Sequence, residues 1–387
     1  MTWNYESVAF DIIRQNMKCI FTGVELDDKT TKEHVLQCFT GATWMSNRIS
    51  SSSVQEMFGN GCDVEMEKSF RFVRNLLGAG GGRPTSMRGY KMTSEAGHQF
   101  ILKGGKFVLS KPYVSKVEKL PDGTSKVTAI LGAKNQDGWA AKMALEEAGA
   151  NKVVSSEMQA ARSDIADEGM LRAERVVLGG IGNLKGCLKS CFNLLGVKRH
   201  DLALDKQFDP LRKCLVNEPL EEPGSIDCFC RLVSEDRDIV LPRFDEFDHT
   251  LSVFSNGRGV YGFLQLYGFF DFSMRLSDAY DGDPFQYVYK VDPMQSHFGK
   301  EHEWTIGDSM FPKFEMQDEG LTEATRARSL RSLERFCGAH WRRSVVDEVM
   351  NRVRKRHEGE AFVDGRVVSG EIVRELRNVL APMMRMR

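Results

Sequence analysis

Apolar positions recur at helical spacing from Val8 to Met17 and again from Asn60 to Leu77, where Gly78 supplies a stop. Gly78-Ala79-Gly80-Gly81-Gly82-Arg83-Pro84 then reads as a loop or linker. Beyond it the period shortens. Lys106–Leu109 and Tyr113–Leu120 are β-rich, and Pro121-Asp122-Gly123-Thr124 turns the chain back into Lys126–Leu131 as a hairpin. Trp139–Ala148 and Gly169–Leu195 read as helices, the second interrupted by Gly179, Gly180, Gly182 and Gly186. Alternation returns at Ile226–Val233, His249–Phe254, Val260–Leu276 and Gln286–Val291, with Asn256-Gly257-Arg258-Gly259 as a hairpin hinge. These strands predict an antiparallel sheet packed on the Gly169–Leu195 helix. Leu321–Arg387 is helical and arginine-rich, with breaks at Glu358-Gly359 and Asp364-Gly365.

The fold class expected is therefore α+β. Three parts are expected: residues 1–90, an α+β region with an antiparallel sheet over 91–320, and a helical C-terminal segment over 321–387. The 387 residues are enough for several cores, and 41% hydrophobic with 28% charged residues is ordinary for a globular chain. No apolar run approaches a membrane span, and the N-terminus lacks the basic and apolar stretches of a signal peptide, so no membrane partner and a cytoplasmic location are expected. The nine cysteines are scattered and form no pair of CxxC units. A net charge of -1 leaves nucleic-acid binding to local patches.

One stretch carries chemistry by its spacing. It runs through Lys18-Cys19-Ile20-Phe21-Thr22-Gly23, Lys32-Glu33-His34-Val35, Gly41, Ser46-Asn47-Arg48-Ile49, Phe58-Gly59, Asp63 and Val73-Arg74-Asn75-Leu76-Leu77-Gly78. In order and spacing it resembles the HNH, or ββα-metal, endonuclease family. Cys19 alone keeps a thiolate; Thr22, Ser51 and Val54 stand at the other cysteine positions, and Gln55 stands where Asn or His is usual.

The resemblance implies an N-terminal ββα-metal module with His34 as general base and Asn47 orienting it. It implies Glu33, Gln55 and Asp63 around one Mg²⁺ or Mn²⁺ ion. No structural zinc is expected, its place being taken by packing of Ile20, Phe21 and Val54, or by a hydrogen bond between Thr22 and Ser51. The function implied is metal-dependent hydrolysis of nucleic-acid phosphodiesters, with DNA the substrate favoured by analogy. Arg48, Arg71, Arg74, Arg83 and Arg88, with Lys91, are the candidate phosphate contacts. The alternative is a catalytically inactive nuclease fold acting as a nucleic-acid-binding, protein-binding or regulatory module. A further expectation is a homo-oligomer formed through the C-terminal helices.

Other features read more plainly. The Gly179–Gly186 run lacks the Gly-Lys-Ser/Thr ending of a phosphate loop and reads as close helix packing. His297, His302 and Glu303 read as a surface loop, Arg352–His357 as a solvated helix face, and Cys187/Cys191, Cys228/Cys230 and the aromatic Tyr261–Phe272 stretch as core.

Overall fold

In a computed structural model the chain is described over residues 17–27, 29–79, 88–111, 113–130, 137–149, 171–173, 178, 180–216, 229–232, 247–294, 299–302, 323–360 and 364–384. Residues 8–16 of the helix expected at Val8–Met17, together with Arg83, His297, Glu303 and Cys228, lie outside these residues.

The described chain is α+β. It opens on a tight turn closed by backbone bonds from Cys19 N–H to the Val24 carbonyl (2.7 Å) and from Gly23 N–H to the Cys19 carbonyl (2.8 Å). Two short strands follow, β1 (Glu33–His34) and β2 (Met45–Ser46), paired antiparallel with Glu33 opposite Ser46. Helix α1 (Ser52–Asn60) comes next. The turn is filled with apolar groups: Cys19, Ile20, Phe21 and Val54 are all buried. The Phe21 ring lies edge-on to Phe58 at 4.9 Å and to Phe192 at 5.5 Å. Ser51 Oγ pairs with Ser53 Oγ (3.2 Å), while Thr22 is exposed.

Helix α2 spans Cys62–Leu77, separated from α1 by Gly61, so the helix expected from Asn60 begins two residues later. Cys62, Met66, Phe70, Val73 and Leu77 form one buried stripe at the 3.6-residue period. Asp63 and Glu65 in its first turn suit the positive end of the helix dipole. Gly78 ends it at φ 69°, a left-handed cap that a residue with a Cβ adopts at a cost. Strands β3 (Tyr90–Ser94), β4 (Gln99–Lys103) and β5 (Lys106–Leu109) form a meander, extended at the β3 edge by β8 (Leu171–Ala173). Strands β6 (Tyr113–Lys119) and β7 (Ser125–Ile130) form a separate hairpin across the Pro121–Thr124 turn, with helix α3 (Asp137–Ala148) after it.

Gly169–Leu195 is not one helix. Leu171–Ala173 pairs with β3, and helix α4 covers Ile181–Lys198, starting where Gly180 holds an extended N-cap conformation. Short helices α5 (His200–Ala203) and α6 (Asp209–Val216) follow.

The largest sheet is antiparallel, in the order β14-β13-β10-β11-β12-β9. Its strands are β9 (Cys230–Leu232), β10 (His249–Ser255), β11 (Val260–Leu266), β12 (Phe270–Ser277), β13 (Phe285–Val291) and β14 (Gly299–His302). The Val260–Leu276 alternation is thus two strands turned at Tyr267-Gly268-Phe269. Every β10 residue is buried, so the strand is covered on both faces. Helix α4 packs on the sheet, where Cys191 Sγ contacts the Ser252 carbonyl at 3.7 Å. Phe70 of α2 stands edge-on to Phe270 (5.3 Å) and Phe272 (6.3 Å). The last elements are α7 (Glu323–Arg356) and α8 (Gly365–Met384), joined through the Glu358-Gly359 and Asp364 breaks. α7 docks by Phe336 onto Phe270 (5.9 Å), and Arg356 ties α7 to Glu375 of α8 (2.5 Å).

Candidate functional site: a buried lysine between two carboxylates

Strand alternation turns Glu33 and Val35 inward, and a carboxylate facing inward needs a partner. That partner is Lys189, in the middle of α4 and only 1% exposed. Its Nζ lies 2.8 Å from Glu33 Oε1 and 2.6 Å from Asp63 Oδ2. The ammonium also sits 4.9 Å from the centroid of the Phe58 ring. Three elements, β1, α2 and α4, therefore converge on one fixed positive charge.

A second ring of polar contacts holds this centre. Gln37 donates from Nε2 to the Gly186 carbonyl (2.8 Å) and more weakly to Asp63 Oδ1 (3.3 Å). Its Oε1 accepts from Ser190 Oγ (2.9 Å). Asn193 donates from Nδ2 to the His34 carbonyl (2.9 Å), fixing the β1 backbone to α4. Gly182 and Gly186 let α4 approach α2 closely: a Cβ at position 182 would lie 2.6 Å from Glu65 Cβ, and one at 186 would lie 2.7 Å from Met66 Sδ. The glycine run is a packing surface.

Burial alone would drive the proton from Lys189, but the Asp63 and Glu33 carboxylates outweigh it and lift the ammonium above its ordinary pKa. Burial pushes the Glu33 carboxyl up, and Lys189 pulls it back only in part. Burial, then the charge on Asp63, raises the neighbouring Cys62 thiol to about 12, so it stays protonated at neutral pH.

The residues expected to surround a metal ion divide. Glu33 and Asp63 do meet, although they lie on different elements. Gln55 is used elsewhere: its Nε2 donates to the carbonyls of Thr31 (2.8 Å) and Ser50 (3.0 Å), and its Oε1 accepts from Thr31 Oγ1 (2.5 Å). The amide clamps the loop before β1 onto α1, and its carbonyl oxygen is engaged by Thr31 rather than turned to Glu33 and Asp63. A hard divalent cation bridging Glu33 and Asp63 would have to occupy the space of the Lys189 ammonium. As arranged, these side chains do not fit such an ion. Among the described residues no cluster of three or more His, Cys, Asp or Glu side chains is placed to hold a metal.

His34 is half-buried beside Glu33, and Asn47 is half-buried in the bend after β2. Arg48 is exposed in the same bend. Arg71 is held by Glu67 through two bonds of 3.1 and 2.5 Å. Arg74 is 3% exposed, out of reach of a backbone lying on the surface. Arg88 is exposed at the start of the β3–β5 meander. The residues that motif spacing did not reveal are Lys189, Gln37, Ser190 and Asn193. One signal is present: Lys189 and Ser190 interrupt the otherwise apolar Cys187-Leu188-x-x-Cys191-Phe192 stretch of a helix that reads as core.

Compared with models of protein families, with curated proteins and with solved structures, the chain matches none. No helix among the described residues is long and apolar enough to cross a membrane.

Proposed function

We propose that this chain is a nucleic-acid-binding or regulatory protein on an HNH-like scaffold that does not hydrolyse phosphodiesters. The observation that carries this reading is the Lys189 ammonium, buried between Glu33 and Asp63 where the resemblance calls for a divalent cation. A tethered ammonium supplies one positive charge and keeps both carboxylates from coordinating an ion. It cannot acidify a bound water as a metal does, because it has no open coordination position. The order β1, β2, α1 and the apolar filling of the Cys19–Gly23 turn support the scaffold half of the reading.

The competing reading, metal-dependent cleavage of DNA with His34 as base, is favoured by one fact. Glu33 and Asp63 converge on a cationic centre, and His34 adjoins Glu33 in the chain. It requires the ammonium to leave that centre. The two readings separate on incubation with supercoiled plasmid and with single-stranded DNA and RNA, in Mg²⁺ or Mn²⁺, alongside His34→Ala. The expected result is no cleavage by either protein and retained nucleic-acid binding by both. Cleavage by the wild type that disappears in His34→Ala would overturn the proposal.

A further inference from the structure

We infer that the outer face of the β3–β5 meander is a docking surface for the phosphate backbone of duplex nucleic acid, an inference that rests on the nucleic-acid-binding reading above. Alternation divides these strands cleanly. Tyr90, Met92, Phe100, Leu102 and Leu109 are buried on the inner face. Lys91, Lys103 and Lys106 are exposed, with Ile101 and Val108 between them on the same face. The register assembles the patch: Lys91 lies opposite Ile101, Ile101 opposite Val108, and Lys103 opposite Lys106 across the β4–β5 turn.

The charge is one-sided. Residues 88–111 contain Arg88, Lys91, Lys103, Lys106 and Lys111 against a single acid, Glu95, in a chain whose net charge is -1. Glu95 lies in the β3–β4 turn, at the opposite end of the meander from Lys103 and Lys106. The last acid along the adjoining helix α2, Glu67, is already bound by Arg71. Among the described residues no carboxylate is paired with Arg88, Lys91, Lys103 or Lys106.

The patch is rigidly placed relative to the lysine-centred site. Asn75 near the C-terminus of α2 donates from Nδ2 to the Arg88 carbonyl (3.0 Å), and its own carbonyl accepts from Gly105 N–H (2.7 Å). The Phe72 ring stands edge-on to Tyr90 at 5.3 Å. Asp63 and Asn75 lie on one helix, α2, so the two regions are separated by roughly 18 Å along it, at 1.5 Å per residue. That span is about five base-pair steps of a duplex at 3.4 Å each.

The chemistry of the face selects the ligand. Binding of single strands relies on aromatic side chains that stack on bases. This face presents lysines with Thr93, Gln99, Ile101 and Val108, and no aromatic ring. Lysine ammonium groups spaced over a sheet face suit phosphate oxygens and carry no base readout, so recognition is of the backbone and independent of sequence.

The test is fluorescence anisotropy of a labelled duplex over a salt series, with wild type and the Lys91→Ala/Lys103→Ala/Lys106→Ala variant, whose changes are all at exposed positions. Each phosphate contact contributes about -0.9 to the slope of log K against log salt, so the variant's slope should be shallower by about 2.7. Affinity at low salt should fall by at least about tenfold. Unchanged duplex binding by the variant would overturn the docking surface while leaving nucleic-acid binding intact. Failure of wild type to bind either duplex or single strand would overturn the underlying reading. Tighter binding to a single strand, or to phosphatidylserine vesicles, than to duplex would overturn the choice of ligand.

Discussion

Replacing Lys189 by methionine tests the central assignment most directly. Methionine keeps much of the length and apolar stem of lysine and deletes the ammonium. The two oxygens now bridged by Nζ, Glu33 Oε1 and Asp63 Oδ2, would then face one another across a space lined by Phe58. Removing one partner of a buried ion pair typically costs about 3–5 kcal/mol, because the remaining charge is desolvated and uncompensated. Here two carboxylates are stranded. Asp63 keeps 24% of its side-chain exposure and regains some hydration, which places the expected loss toward the lower end, about 3 kcal/mol. Urea unfolding at pH 7, followed by circular dichroism, reads that loss. The triple variant Lys189→Met/Glu33→Gln/Asp63→Asn removes all three charges together and should recover most of it, since neutralising a whole buried ion group is often close to neutral. A loss under about 1 kcal/mol in the single variant would refute the reasoning. So would a triple variant no more stable than the single one. Titration of Lys189 itself does not enter this test between pH 6 and 9. The folded pKa of Lys189 lies above its unfolded value, so its contribution is fully present below about 10.4 and is lost only as pH rises through the folded value.

His249 should make the fold acid-sensitive. Burial lowers its pKa to about 3, and its neutral ring accepts the Tyr267 N–H at Nδ1 (3.0 Å). The unfolded chain takes up this proton near pH 6.5 and the folded chain does not, so stability is full above pH 6.5 and falls as pH drops toward 3. The loss between pH 7 and 5 is about 2 kcal/mol. His249→Gln, which can still accept from Tyr267, should flatten that part of a stability–pH profile; an unaltered slope would count against the buried neutral ring. Gly262→Ala should cost about 1–3 kcal/mol by overpacking, because the new Cβ would lie 2.7 Å from Cys191 Sγ and 2.9 Å from Cys191 Cβ on the buried helix α4. Adding Cys191→Ala should recover part of the loss in thermal unfolding, and strict additivity of the two changes would show that they do not share this space.

Much of the architecture was legible because it is local. The α2 stripe and its glycine stop, the Pro121–Thr124 hairpin, the β10–β11 hinge and the break before Gly365 each depend on a few neighbouring residues. Gly169–Leu195 departs from its helical pattern because three of its residues pair with a strand some eighty positions earlier, a preference that no short window contains. The site divides in the same way. Motif spacing brought Glu33 and Asp63 to one place, because β1, α1 and α2 are consecutive. It misplaced Gln55, whose competing partners Thr31 and Ser50 are carbonyls that any residue type supplies. It missed Lys189 because the cation comes from a helix 126 positions beyond Asp63. Residue type alone marks Arg71 and Arg74 as surface cations, whereas α2 turns one toward Glu67 and the other into the core.

The sequence distance between Asp63 and Lys189 also sets an order of assembly. During synthesis the first eighty residues leave the ribosome carrying both acids of the centre, and the lysine that balances them is made 126 residues after Asp63. At about 5–20 residues per second that interval lasts from several seconds to almost half a minute. Throughout it the nascent segment lacks Phe192, the packing partner of Phe21, as well as its counter-charge. An excised N-terminal fragment would lack both the Lys189 counter-charge and the Phe192 ring that α4 brings to it.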